Sequence, residues 1–227
     1  MSDRSPQLRH RSKKEVRVIL PAREIGRQLA AHAPFTALGT LSGIILMVLL
    51  SSLRILTSVS EPLFWILHPA HVFVSAYVTA AMYRRNSRGT IWKLFCIGYL
   101  GSVGIATLSD SIIPFLGEWL LALPSRHIHI GFIEKWWLIN PLAIGGIALS
   151  LFGTRTRFPH SIHVFLSTWA SLFHMTSAMW GAPRLVDFIA ISAFLFLAVW
   201  IPCCTSDIVF PLLFGDASEP GTNIRKK

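Results

Sequence analysis

His68 and His71 stand three residues apart inside an apolar run of the 227-residue chain. On a helix that step keeps both imidazoles on one face. Neutral imidazole and carboxylate are the ligand types for zinc, iron, manganese or nickel. Ser75 and Thr79 continue the stripe at steps of four, and His160, His163, Ser167, Ser171 and His174 make a second stripe on a later run. Asp110 closes a third run, and Asn140 lies one turn inside a fourth. Three protein ligands and an open position let a metal activate water. His68, His71, Asp110 and His174 are therefore the candidate ligands of a divalent metal such as zinc. Glu118 and Glu134 are the candidate general acid or base. Ser75 and Ser171 are placed to hydrogen-bond ligating rings, although serines on such stripes also serve helix packing. The competing reading of the whole cluster is a hydrogen-bonded group that joins helices without metal.

A weaker group pairs His160 and His163 with Cys203, Cys204 and Asp207, which follow Pro202. Thiolate with imidazole suits a soft metal. Buried cysteines more often behave as small apolar residues, and that reading is preferred for this group. Other chemistries lack their motifs: there is no GxSxG, HExxH, GxxxxGK[ST] or GxGxxG. Gly98, Gly101 and Gly104 read as helix-packing positions. Three cysteines make no disulfide framework.

The candidate ligand types resemble those of intramembrane hydrolases of the alkaline-ceramidase and adiponectin-receptor type, which place three histidines and an aspartate around zinc. The spacing departs from theirs: this chain has His68-x-x-His71 and His160-x-x-His163 where they use SxxxH and HxxxH. The resemblance covers ligand types only and implies no membership.

The elements that must position these groups are long and apolar. The chain is 52% hydrophobic and 14% charged, against roughly 25% charged in a soluble domain. A soluble enzyme or nucleic-acid domain is excluded on that ground. Apolar stretches fall at about 34–57, 62–82, 91–110, 136–153, 160–178 and 186–214, near the length of about 20 residues that a spanning helix needs. They are continuous rather than alternating, unlike barrel strands. The expected fold is all-α: a polytopic integral membrane bundle of six transmembrane helices over 34–214. A basic cytoplasmic arm at 1–33 precedes it and a cytoplasmic tail at 215–227 follows. Residues 111–135, apolar apart from Glu118 over their first half and flanked by Pro114 and Pro124, suggest a short interfacial or re-entrant helix in the outer connection.

With six spans, 17 of the 21 basic residues fall on one side, leaving only Arg54, Arg126, Lys135 and Arg184 opposite. The positive-inside rule then puts both termini in the cytoplasm, with the plasma (inner) membrane as the expected location. The arm has no aromatic residue before Phe35. Its expected partners are the bilayer and anionic lipid headgroups, with no nucleic acid.

Four functions fit these features. A metal-dependent intramembrane enzyme, hydrolase-like, is the leading one. The others are an electron-transfer protein with haem b between His71 and His174, an ion or small-solute transporter, and a non-catalytic subunit of a membrane complex. The orientation is directly measurable. Reporters fused at either terminus should read as cytoplasmic, and one inserted in the 111–135 connection as external. Termini read on opposite sides would break the six-span count, and both read outside would reverse the orientation.

Overall fold

The computed structural model describes residues 22–87, 89–153, 157–181, 183–204 and 210. Most of the basic arm and all of the tail lie outside them, as does Asp207. The described residues are mostly helical and contain no strand. Six longer helical runs follow one another: α1 Ala22–Ser52, α2 Leu56–Asn86, α3 Ile91–Leu120, α4 Trp136–Ser150, α5 Arg157–Ser177 and α6 Leu185–Cys204. Because α1 begins by Ala22, the last part of the expected arm is helical.

Four segments are long and apolar enough to cross a membrane: Ala33–Ser52, Leu56–Arg85, Ile91–Leu120 and Leu185–Cys203. The α4 helix is apolar but has 15 residues, about 22 Å at 1.5 Å per residue, against a hydrocarbon core of about 30 Å. The α5 helix has 21 residues but carries the polar stripe. Enclosure explains its composition: α5 packs against α2, α1, α6 and α3, and all residues from His163 to Met175 are buried except the partly buried Phe165, Leu166 and Trp169. A helix surrounded by other helices needs no lipid-compatible surface. The segments Ala33–Ser52 and Leu185–Cys203 show the converse, being the most apolar and only 28% buried. Their outward faces carry Leu38, Leu41, Ile45, Ile189 and Leu197, all exposed, which is the surface a bilayer covers. Trp119, Trp136, Trp137 and Trp180 are exposed near the helix ends around residues 120, 136 and 177, where an aromatic belt meets the interface.

Two apolar clusters flank a polar seam. One joins α1, α2, α5 and α6 through Met47, Phe64, Leu172, Phe173, Ile191 and Leu195. The other joins α2, α3 and α4 through Val72, Ala76, Leu94, Val103, Ile139 and Ile147. Between them, α2 presents His68, His71, Ser75 and Thr79, α3 presents Ser109, Asp110 and Ser111, and α5 presents His163, Ser167, Ser171 and His174, all buried. The described residues of both stripes thus face inward.

The α3 helix differs from its expected form. Ile91–Leu120 is one helical run, so residues 111–120 continue it rather than form a separate interfacial helix. Two π-helical turns, Leu100–Gly104 and Leu108–Ile112, interrupt its α-helical winding. Asp110, expected at the outer end, lies ten residues before Leu120, about 15 Å inside that end.

Close helix approach rests on glycines. A methyl group on Gly146 would collide with the Phe73 carbonyl oxygen, and one on Gly98 would meet Ile147 at 2.9 Å. A methyl group on Gly104 meets nothing within 4 Å, so the packing role expected there belongs to Gly98 and Gly101 only. The two kinds of glycine should respond with opposite sign. Gly146→Ala is expected to destabilise by about 1–3 kcal/mol, by forcing α2 and α4 apart. Gly104→Ala should be neutral or stabilise by up to about 1 kcal/mol. Thermal unfolding in detergent reads both.

Candidate metal centre

The centre is organised by one carboxylate. Asp110 is fully buried. Its Oδ2 lies 2.9 Å from His68 Nδ1 and 2.6 Å from His71 Nδ1. Its Oδ1 accepts from Ser109 Oγ at 2.7 Å and Ser167 Oγ at 2.9 Å. An ionised carboxylate has about four acceptor positions, and four donors from three helices fill them. Since the carboxylate only accepts, each of these Nδ1 atoms carries a proton, and the Nε2 of each neutral ring presents its lone pair.

The local backbone makes this possible. The π-helical turn at Leu108–Ile112 holds Ser109, Asp110 and Ser111, three consecutive residues that are all fully buried. On α2, Pro69 lies between the two histidines and cannot donate to the Trp65 carbonyl. Ser167 reaches Asp110 because it sits one turn after His163 on the inward face of α5. Ser171, expected to support an imidazole, donates instead to the backbone carbonyls of Ser109 and Ser167. Ser75 Oγ has no hydrogen-bond partner among the described residues. Ser109 and Ser167 instead support the Asp110 carboxylate that holds the two rings.

His174 is held by a different acid. Its Nδ1 lies 2.7 Å from Glu118 Oε1, and both side chains are 1% exposed. Glu118 also accepts the His127 backbone N–H at 3.2 Å. Glu134 sits nearer the surface, where it accepts the Ile130 N–H at 2.6 Å and lies 3.1 Å from His129 Nδ1. These bonds cap the short turn Gly131–Glu134. Asn140 accepts from the Tyr99 hydroxyl at 2.9 Å, tying α4 to α3 away from Asp110.

His68, His71 and His174 share a further property. Each has its Nε2 buried with no hydrogen-bond partner among the described residues. A carboxylate behind Nδ1 and an open Nε2 is how metal-ligating histidines are commonly oriented. His68, His71 and Asp110 each offer a ligand atom within 4.8 Å of the others. With its acceptor positions filled, Asp110 orients the rings. Direct ligation would exchange its bonds to Nδ1 for bonds to an ion. A second such group, His71, His163 and Cys203, uses His71 again, so the two clusters read separately from the sequence meet at one ring. The side chains of His160 and Cys204, together with Asp207, lie outside the described residues.

The six histidines whose side chains are described form one file. His127 stacks on His129 with ring centroids 5.8 Å apart, and His129 meets His174 at 5.4 Å. Phe64 follows, 5.2 Å from both His174 and His68. His68 shares Asp110 with His71, and the His71 ring meets His163 edge-on at 4.6 Å. Burial deepens along the file, from exposed His127 through His129 at 15% to His68 and His163 at 1% or less. The backbone turn before α4 roofs it: a methyl group on Gly131 would come within 2.7 Å of His68 Nε2.

Comparison of the chain with protein-family models, with curated proteins and with solved structures gives no match.

The carboxylate network makes a graded prediction. Ser167→Ala should cost about 1.5–3 kcal/mol, the range for a hydrogen bond to a charged group. Asp110→Asn should cost about 2–5 kcal/mol, because it disturbs four bonds in a buried site. The double variant should fall little below Asp110→Asn alone, since Ser167 acts through that carboxylate. Fully additive unfolding free energies in detergent would place the Ser167 contribution elsewhere.

Proposed function

We propose that the chain is a six-span membrane protein, with both termini cytoplasmic and its Glu118 end outward, that binds a divalent transition-metal ion at His68, His71 and Asp110 and carries it across the bilayer. The observation that carries this reading is the file of groups, polar except for Phe64, from exposed His127 to buried His163 and Cys203. Transport requires ligands strung through the bundle, and intramembrane ionisable residues commonly mark ion or proton pathways. Hydrolysis instead requires ligands gathered where a substrate can reach them. His68, His71 and Asp110 are 1% exposed or less, which favours an ion as the visitor over a lipid. Residence in the plasma (inner) membrane, with the basic arm on anionic headgroups, belongs to the same proposal.

One observation supports a hydrolase as the second reading. The buried Glu118–His174 pair at 2.7 Å is a ready proton-transferring couple beside the candidate ligands. In that case Glu118, rather than the turn-capping Glu134, is the acid or base. His174 already packs against Phe64 and His129, and no contact here favours haem b.

Zinc uptake into proteoliposomes separates these readings. The wild-type chain should move zinc, and Asp110→Asn or His68→Gln should weaken metal binding about 10–100-fold and suppress uptake. Zinc-dependent hydrolysis of a lipid ester or amide that requires Glu118, without uptake, would replace transport with the second reading. A purified protein that binds no zinc would remove both.

A further inference from the structure

Cys203 lies at the end of α6, 1% exposed and in no disulfide. It packs in a small apolar cluster with Val164 and Val199, the environment an inert buried cysteine prefers. Apolar packing does not call for two imidazoles from two other helices beside the sulfur. Yet His71 from α2, His163 from α5 and Cys203 from α6 each offer a ligand atom within 4.8 Å of the others. All three side chains are 1% exposed or less. Because His71 Nδ1 is held by Asp110 at 2.6 Å, Nε2 is the His71 nitrogen left for this group. Tetrahedral zinc, with bonds of about 2.0 Å to nitrogen and about 2.3 Å to sulfur, sets its ligand atoms about 3.5 Å apart. Small side-chain adjustments therefore suffice to close the group on an ion, without moving a helix.

We infer that His71, His163 and Cys203 form a second, softer metal station, which takes a borderline or soft transition-metal ion and shares His71 with the Asp110-held centre. The inference rests on the transport reading and adds where the ion goes next. The first station offers nitrogen and oxygen, while the second offers two nitrogens and a sulfur, which suits softer ions. Ser167 links the two, bonding Asp110 Oδ1 at 2.9 Å and accepting the Cys203 thiol at 3.4 Å. An ion can therefore pass from one ligand set to the other around the His71 ring, from its Nδ1 edge beside Asp110 to its Nε2 edge beside Cys203. Cys203 binds as thiolate, so each ion bound there displaces one proton from the sulfur.

X-ray absorption at the zinc edge tests the station in the full-length protein in nanodiscs, loaded with one and then two equivalents of zinc. At two equivalents the wild type should show sulfur scattering at about 2.3 Å beside nitrogen at about 2.0–2.1 Å. Cys203→Ser should lose the sulfur shell, whereas a Cys96→Ser/Cys204→Ser double variant should keep it. A wild-type shell of nitrogen and oxygen alone would overturn the second station and leave the first standing. Sulfur retained in Cys203→Ser, or lost in the Cys96→Ser/Cys204→Ser variant, would also overturn it. Failure to retain any zinc would remove the transport reading together with this one. Should Cys203→Ser not fold, the wild-type and Cys96→Ser/Cys204→Ser spectra decide the matter between them.

Discussion

A buried carboxylate in a membrane bundle is tolerable only when its lone pairs are occupied, and the arrangement around Asp110 follows from that constraint. Burying an isolated charge costs many kcal/mol, so α2, α3 and α5 must each deliver a donor to one point. The requirement registers three helices against one another, along the axis and in rotation. A slip of one residue on α2 would turn His68 and His71 away by about 100°. Apolar side chains alone would accept several such registers, because lipid and core are equally apolar. The polar seam therefore selects one arrangement of the bundle, and the two flanking apolar clusters fill in around it.

The distribution of polarity follows from the same seam. In a soluble protein the most enclosed helix is usually the most apolar. Here α5 is enclosed and polar, while the segments Ala33–Ser52 and Leu185–Cys203 are apolar and largely uncovered. This inversion belongs to a bundle whose solvent is lipid. It also accounts for four segments meeting a length-and-apolarity requirement in a bundle of six longer helices. The α5 helix is long enough but polar, and α4 is apolar but short.

Much of the site was legible in the sequence, because helical periodicity is local information. The inward stripes of α2 and α5, and the pairing of His68 and His71 with Asp110, follow from residue spacing and the scarcity of polar residues in apolar runs. Depth was harder to read. A span of about 20 residues from Ile91 ends near Asp110 and makes it an outer residue, whereas α3 continues to Leu120 through two π-helical turns that no composition signal marks. The roles of Ser109 and Ser167 were hidden because a serine in a membrane helix has many uses. The best available signal was the place of Ser167 between His163 and Ser171 on one stripe. The meeting of His71 with Cys203 depends on how α2 and α6 are placed, which no spacing within either segment encodes. Glu134 was legible in principle, since an acid four residues after Ile130 at a short helical turn is a common capping arrangement.

Phe64 occupies a singular place in the file of histidines. Its ring lies 5.2 Å from both His174 and His68, and it offers neither a proton nor a strong lone pair. Among the described side chains, the file of exchangeable groups is therefore interrupted at one residue. On its outer side, Glu118 and His174 can trade protons with the surface loop. On its other side lie Asp110 and its partners, which the file reaches through the phenyl ring. One aromatic side chain thus stands between the exchangeable groups that face the surface loop and those gathered at Asp110.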